Sequence, residues 1–179
     1  MDKFTRKTSF EQWFSPISST KLAELVEIHQ LNTYTKKLHM ASFLKLLLFA
    51  QLNETESLRA ISETLFSDDL QKVTDLESIS FSQLGRRLNQ VPTAVFQEVF
   101  LDLVAQIHEK SQYEQRRKTT TPLKIIDSST LPLNLNNHKW AEFRKTKSGI
   151  KLHLRLVFLE KGCSYPDQAV LTNAKEHDR

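Results

Sequence analysis

The sequence predicts an α+β protein: an all-helical N-terminal domain (residues 1–115), a linker (116–122), and then the first three strands of an antiparallel sheet (123–179). Apolar residues recur at helical spacing through the first domain, which is nearly free of glycine. Beyond residue 122 they alternate with polar residues, as in strands. The composition, 39% hydrophobic and 26% charged, is that of a folded globular protein.

The first helices are predicted from capping residues and apolar spacing. Ser19 or Thr20 can cap a helix through residue 29, and a more buried helix is expected over residues 36–52. Asn53 and Glu56 have the spacing of a capping box, which indicates a third helix immediately after them. A weak helical turn over residues 70–76 ends this part of the domain.

Two further helices flank Pro92. A short helix is expected over residues 80–90, stopped before the proline, and an amphipathic helix over 93–109. The apolar residues of the short helix are expected to point inward: Phe81, Leu84 and Leu88. Arg86 and Arg87 would then point outward, either as part of a helix-turn-helix-like DNA reader or as solvated charges.

Three strands are predicted after the linker, over residues 123–127, 150–159 and 168–172. No helix separates them, so they should form an antiparallel meander. Asp127 would end the first strand. Burial would make its charge costly, so it should either cap the following turn or bind a divalent metal.

The net charge of +4 lies entirely in residues 121–179, since residues 1–120 carry no net charge. Most of it comes from one cluster of cations: Lys139, Arg144, Lys145, Lys147, Lys151 and Arg155. Such a cluster suits a phosphate backbone, although a solvated face without a partner fits the pattern equally well. Trp140, within the cluster, would pack in the core or stack on a displaced base.

Several classes of protein are disfavoured. The lone Cys163 cannot form an intramolecular disulfide, and the N-terminus lacks a secretory signal, so a cytoplasmic protein is expected. The most apolar run, residues 43–50, is too short to cross a membrane and contains Lys45. The histidines lack zinc spacing, and neither a glycine-rich phosphate loop nor a hydrolase nucleophile motif occurs.

An ordered set of short motifs carries a family resemblance. The set is Ile125-Ile-Asp-Ser-Ser-Thr, Trp140-Ala-Glu-Phe-Arg, Lys147-Ser-Gly-Ile-Lys-Leu-His, Pro166, Thr172-Asn-Ala and His177-Asp. In this order it resembles the DDE transposases of bacterial insertion sequences, and more narrowly the branch with the insertion-sequence-four transposase domain. The preceding helical segment also resembles the N-terminal domain of these enzymes.

The resemblance implies a ribonuclease-H-like catalytic domain with an antiparallel or mixed sheet. In this family three carboxylates bind two Mg²⁺ or Mn²⁺ ions for phosphodiester cleavage and strand transfer, and Asp127 matches the first of them. The implied partner is double-stranded DNA at the transposon ends, which would place the protein at the nucleoid. The basic cluster would adjoin Asp127 in the sheet, where the scissile phosphates pass.

The resemblance also implies an incomplete site. Asp178 follows at a plausible distance, but the family's second aspartate lies on a further strand, so we expect Asp178 to be a helix N-cap or structural residue. The third carboxylate, a glutamate, is not matched either. We therefore expect an N-terminal part of a transposase that does not hold its ions stably and is inactive alone. The alternative is a DNA-binding or dimerising remnant that competes with an intact transposase.

Overall fold

The computed structural model describes residues 9–115, 123–144, 147–160 and 163–176. The chain divides into two compact units, the helical unit (Met1–Leu103) and the sheet unit (Val104–Arg179), and each is described by itself. Helices are followed by a small antiparallel sheet of four strands, which confirms the α+β class. The predicted linker, residues 116–122, lies outside the described residues, and the predicted domain boundary stays a prediction.

Within the described residues the helices are α1 Ser9–Phe14, α2 Ser19–Ile28, α3 Met40–Leu52, α4 Leu58–Thr64, α5 Asp68–Thr74, α6 Phe81–Gln90 and α7 Thr93–Gln115. The helix predicted over residues 36–52 begins later, at Met40, because the Asn32 side chain accepts a hydrogen bond from the Met40 amide at 2.8 Å. Residues 36 and 37 therefore lie in the loop before α3. The short helix α1 was not predicted.

Two of the predicted helix caps are displaced. The cap of α2 is Ser18, whose hydroxyl accepts a backbone N–H, and not Ser19 or Thr20. Asn53 does not open a capping box; it ends α3, and Ser57 caps α4. In both cases a serine directly before the helix supplies the oxygen that the first free amides need.

The core of the helical unit is built around α3. Met40, Phe43 and Leu46 are fully buried there, as the apolar run predicted. Residues of other helices and of the segments between helices join the cluster, among them Leu25, Leu31, Ile61, Leu65, Leu84, Val91 and Val95. Lys45 lies in the same run, and its ammonium donates to the Val73 carbonyl at 2.7 Å, near the end of α5. This bond satisfies both the cation and a helix-terminal carbonyl.

The sheet consists of β1 Leu123–Leu133, β2 Glu142–Arg144, β3 Lys147–Glu160 and β4 Cys163–Asn173. All pairs are antiparallel. The central strand is β3: β1 pairs with it along most of its length, and β2 and β4 each pair directly with different stretches of it. The predicted meander is thus present as β1, β3 and β4, while β2 was not predicted. Among the described residues, no helix is both long and apolar enough to cross a membrane.

The sheet has two faces of different chemistry, because neighbouring side chains of a strand point in opposite directions. The Asp127 face carries Ile125, Asp127, Leu131, Leu152 and Leu154 according to the strand register. The Arg155 face carries Ile126, His153, Arg155, Gln168 and Val170. On the Arg155 face, the buried Tyr165 of β4 contacts His108 of α7, with the hydroxyl oxygen 3.2 Å from Nδ1.

Candidate functional site

Asp127 lies in the middle of β1, opposite Leu154 of β3. The expectations that it ends its strand and that it is buried are both wrong, since β1 continues to Leu133 and the Asp127 side chain is exposed. The three residues after Asp127, where the turn was expected, all pair with β3. Asp127 consequently has no turn to cap.

The Asp127 carboxylate is open to a ligand. It makes no hydrogen bond or salt bridge with any residue that the structure describes. Carboxylate oxygens are preferred ligands of Mg²⁺ and Mn²⁺, so Asp127 can supply one coordinating group. The described parts of the chain contain no group of three or more His, Cys, Asp or Glu side chains that could hold a metal ion. Among the described residues, Asp127 is therefore a single carboxylate outside any such group.

The surroundings of Asp127 are apolar and exposed. On the same face, Ile125 and Leu131 of β1 are each 43% exposed, and Leu171 of β4 is 62% exposed. Phe158, at the far end of β3, is 38% exposed. A carboxylate ringed by aliphatic side chains is positioned for a ligand that also covers the apolar surface around it.

The cations of β3 lie on the other face. Lys151 pairs with Thr130 and Arg155 with Ile126, so both are an odd number of residues from Leu154, the partner of Asp127. The basic stretch adjoins Asp127 in register but points away from it. Lys151 and Arg155 therefore lie on the opposite face of the sheet from Asp127, and their contact with a DNA backbone stays a prediction.

Arg155 is held by an acidic partner that the sequence did not reveal. Its Nε donates to Oδ1 of Asp167 at 2.7 Å, and a terminal nitrogen donates to Oδ2 at 3.0 Å. The Asp167 side chain is 4% exposed, and the Arg155 hydrogen bond lowers its pKa while raising that of Arg155. Lys124 lies 3.9 Å from the same carboxylate. Two nitrogens of the Arg155 guanidinium therefore already bind a carboxylate.

The remaining cations of the cluster are placed as follows. Lys139 is exposed in a short 3₁₀ turn (Lys139–Ala141), and Lys147 is exposed at the start of β3. Arg144 ends β2, the structure does not describe its side chain, and Lys145 lies outside the described residues. Lys151 donates to the Glu176 carbonyl at 2.9 Å. Lys139 and Lys147 are the described members that present an exposed ammonium.

Trp140 is not a core residue. Its side chain is 68% exposed, and its ring meets the His138 ring edge to face, with centroids 6.4 Å apart. The Trp140 carbonyl accepts a hydrogen bond from Asn173 at 3.2 Å, which fixes the 3₁₀ turn to the end of β4. An exposed indole held in this way can stack on a base, the alternative left open above.

Arg86 and Arg87, the two predicted DNA contacts of α6, have opposite environments. Arg86 is exposed, as expected. Arg87 is 6% exposed, so the prediction that it points outward is wrong. It shares the inner face of α6 with Leu84, three residues earlier, whereas the outward side takes Leu88, 38% exposed.

The buried Arg87 guanidinium fastens the loop before α3. It donates to the Leu31 carbonyl at 2.6 Å and to Oδ1 of Asn32 at 3.2 Å. Burial lowers the Arg87 pKa. Because the three methylenes of an arginine pack as an apolar stem, its charged end can reach buried acceptors. A hydropathy pattern reads such a residue as polar and places it outside.

Comparisons with known proteins bear on both units. Residues 5–72 match a family model described as a domain of unknown function (DUF4372). Over 112 residues the chain is 27% identical to a "Probable transposase for insertion sequence element IS5377" from Geobacillus stearothermophilus. The aligned part makes up 62% of this chain and 28% of that protein, so the chain spans little more than a quarter of its relative. No solved structure matches the chain.

These matches support a transposase-related protein. The DUF4372 match falls within the helical unit. The match to the insertion-sequence transposase covers more of the chain than that domain does.

Proposed function

We propose that this chain acts in DNA transposition as part of a DDE transposase of the insertion-sequence-four type, with Asp127 as the first metal-binding carboxylate of a ribonuclease-H-like domain. The observation that carries the proposal is the position of Asp127. It is an exposed carboxylate on the first strand of an antiparallel sheet, without an intramolecular partner among the described residues. The similarity to an insertion-sequence transposase supports the same function.

In this proposal Asp127 contributes oxygen ligands to Mg²⁺ or Mn²⁺. When bound by a complete set of carboxylates, two such ions activate the attacking hydroxyl and stabilise the leaving oxygen of a phosphodiester. The chain's own contribution is to hold the Asp127 carboxylate rigidly, since β1 pairs with β3 on both sides of it. One carboxylate is a weak ligand set, so these 179 residues alone should bind the ions only weakly and should not cleave DNA.

A metal titration tests the role of Asp127 without requiring activity. Mn²⁺ is paramagnetic and broadens the NMR signals of nearby amides. With millimolar Mn²⁺, roughly the range of weak carboxylate sites, we expect broadening at Ser128 and Leu154 in the wild type. The Asp127→Asn variant should lose it, whereas Asp69→Asn, which changes an exposed aspartate of α5, should keep it. Equal broadening in the wild type and Asp127→Asn would contradict the assignment.

Cleavage provides the second test. The purified chain, incubated with Mg²⁺ or Mn²⁺ and duplex DNA from the flanks of its own gene, should leave the DNA intact. Cleavage that Asp127→Ala abolishes would show a complete site and refute the expected inactivity. Restoration of cleavage by a longer form of the protein, again dependent on Asp127, is the outcome that the proposal requires.

DNA binding is a further part of the proposed function. We propose that the exposed Lys139 and Lys147 of the sheet unit contact the phosphate backbone, with Trp140 beside them. If each lysine makes one phosphate contact, the slope of log K against log salt should be less steep by about 1.8 in the Lys139→Ala/Lys147→Ala variant. An unchanged slope in a fluorescence anisotropy titration would remove these two residues from the interface.

A dimerising, inhibitory role is the second candidate. The exposed aliphatic side chains around Asp127 favour it, because a large apolar surface is commonly covered by another chain. The partner would be a second copy or an intact transposase. Light scattering of the wild type and a Leu171→Lys variant tests this role: a dimer that the substitution dissociates supports it, and a monomeric wild type excludes self-association.

A further inference from the structure

A basic groove lies in the helical unit, between α6 and the loop of residues 30–39. We define it by Tyr34, Lys36 and Lys37 of the loop and by Gln83, Arg86 and Gln90 of α6. The sequence predicted a helix from residue 36 onward, which would have placed Lys36 and Lys37 within that helix. Because α3 begins at Met40, both lysines lie in the loop and line the groove.

The loop is rigidly fastened and displays its side chains outward. The buried Arg87 holds the Leu31 carbonyl and the Asn32 side chain, and Asn32 also receives the Met40 amide. Tyr34 has a left-handed backbone, with a φ of 58°, and its side chain is fully exposed. A non-glycine residue in that conformation is uncommon and is held by its surroundings.

The cations of the groove are available to a ligand. Lys36, Lys37 and Arg86 are exposed, and none of them forms a salt bridge with a described residue. No acidic residue lines the groove. Asp75 and Glu77 line a neighbouring depression, and Lys36 and Lys37 line both the groove and this depression. The apolar lining, Leu38 and Ile79, is about 6% exposed.

We infer that this groove binds the phosphate backbone of double-stranded DNA, which rests on the proposed function in transposition. Lys36, Lys37 and Arg86 contact phosphate oxygens, and the Tyr34 hydroxyl donates a hydrogen bond to a neighbouring one. Lysine, arginine, tyrosine and glutamine are among the side chains that commonly contact DNA phosphates. The shortage of exposed apolar surface disfavours a hydrophobic partner.

Arg87 is a positioning residue in this interface. It touches no ligand, but it joins the loop to α6 and so keeps the two lysines beside Arg86. The two adjacent arginines of α6 therefore have different roles: the buried Arg87 holds the loop in place by hydrogen bonds, and the exposed Arg86 lines the groove.

The salt dependence of DNA affinity tests the groove directly. Each lost phosphate contact should make the slope of log K against log salt less steep by about 0.9. For Lys36→Ala/Lys37→Ala we expect a change of about 1.8, and an affinity about 60-fold weaker at 0.1 M salt. Arg86→Ala should show half that change in slope. The probe is a fluorescein-labelled DNA duplex, titrated with the full chain.

Two controls separate phosphate contacts from general effects. Arg59→Ala/Lys110→Ala removes the same charge from exposed positions outside the groove, so its slope should equal that of the wild type. Tyr34→Phe removes a neutral donor, so affinity should fall while the slope stays constant. Melting temperatures check that each variant is folded, and Lys36→Gln/Lys37→Gln replaces the alanine pair if that pair is unstable.

The outcomes distinguish this inference from the proposed function. If the Lys36→Ala/Lys37→Ala variant has the wild-type salt slope, the inference that the groove binds DNA phosphates is wrong. If Lys139→Ala/Lys147→Ala still weakens binding, DNA binding by the sheet unit stands without it. If the wild type shows no Asp127-dependent Mn²⁺ broadening but the groove variants still weaken DNA binding, the proposed metal site is wrong and the inferred DNA binding by the groove stands. A tenfold preference for duplex RNA over DNA overturns the choice of partner.

Discussion

Replacement of Arg87 by methionine should destabilise the helical unit by about 2 kcal/mol. The guanidinium makes two hydrogen bonds, at 2.6 Å to Leu31 and 3.2 Å to Asn32. Hydrogen bonds from a charged donor contribute about 1.5 to 3 kcal/mol each, and the longer one belongs at the low end. Against this, Nε is buried without a hydrogen-bond partner among the described residues, at a cost of about 1 to 3 kcal/mol that methionine would remove.

Two comparison variants sharpen this prediction. Arg87→Lys keeps the charge but presents a single point donor instead of a fork, so it should recover only part of the loss. Arg86→Met changes the exposed neighbour and should alter the free energy of unfolding by less than about 0.5 kcal/mol. Urea unfolding followed by far-ultraviolet circular dichroism measures all three values.

Hydrogen exchange adds a local measurement. The Met40 amide donates to Asn32, whose side chain Arg87 also holds, so this amide should exchange faster in Arg87→Met than in the wild type. The amide of Phe43, bonded within the helix to the His39 carbonyl, is the internal reference. If Arg87→Met is as stable as the wild type and its Met40 amide exchanges at the wild-type rate, Arg87 does not hold the loop before α3.

Other predictions concern the sheet unit and a helix cap. The folded-state pKa of Asp167 is lowered by Arg155, so its contribution to stability is present above the ordinary carboxyl pKa and is lost as the pH falls below about 4. Asp167→Asn should lack this acid-dependent part in urea titrations across pH; an identical pH profile would contradict the pair. Ser80 and Gln83 form a capping box at α6, so Ser80→Ala should cost about 1 kcal/mol, whereas Ser78→Ala should cost little. Equal melting temperatures for these two serine variants would exclude the cap.

The sequence predicted the class of the fold and most helices because these depend on local periodicity. It misjudged β1, whose length is set by pairing with β3: the Ser-Ser-Thr segment after Asp127 is compatible with a strand, but its own composition favours a turn. The start of α3 escaped prediction for a similar reason. It depends on Asn32, eight residues before Met40 in the chain.

The candidate sites were partly predictable. Asp127 was predicted as a site residue from its ordered neighbours, and this role stays a prediction; the exposure of its carboxylate could be learned only from the structure. The partner of Arg155 could not be foreseen, because a register shift in β4, between the positions opposite Arg155 and Leu156, lies where Asp167 meets the arginine. The face of the sheet on which each cation lies depends on strand register, and the positions of charges in the sequence do not determine that register.

The positions of the cations also change how DNA could reach Asp127. A phosphate that approaches the Asp127 face meets aliphatic side chains, since Lys151 and Arg155 point to the other side of the sheet. Attraction of DNA by those cations would therefore not by itself bring a scissile bond to the carboxylate. Phosphates at Asp127 would need charge supplied by the metal ions themselves or by other parts of a complete enzyme. We therefore expect the proposed DNA binding and the proposed metal binding to be separable: lysine substitutions should change affinity and salt slope, whereas Asp127→Asn should change the metal signal alone.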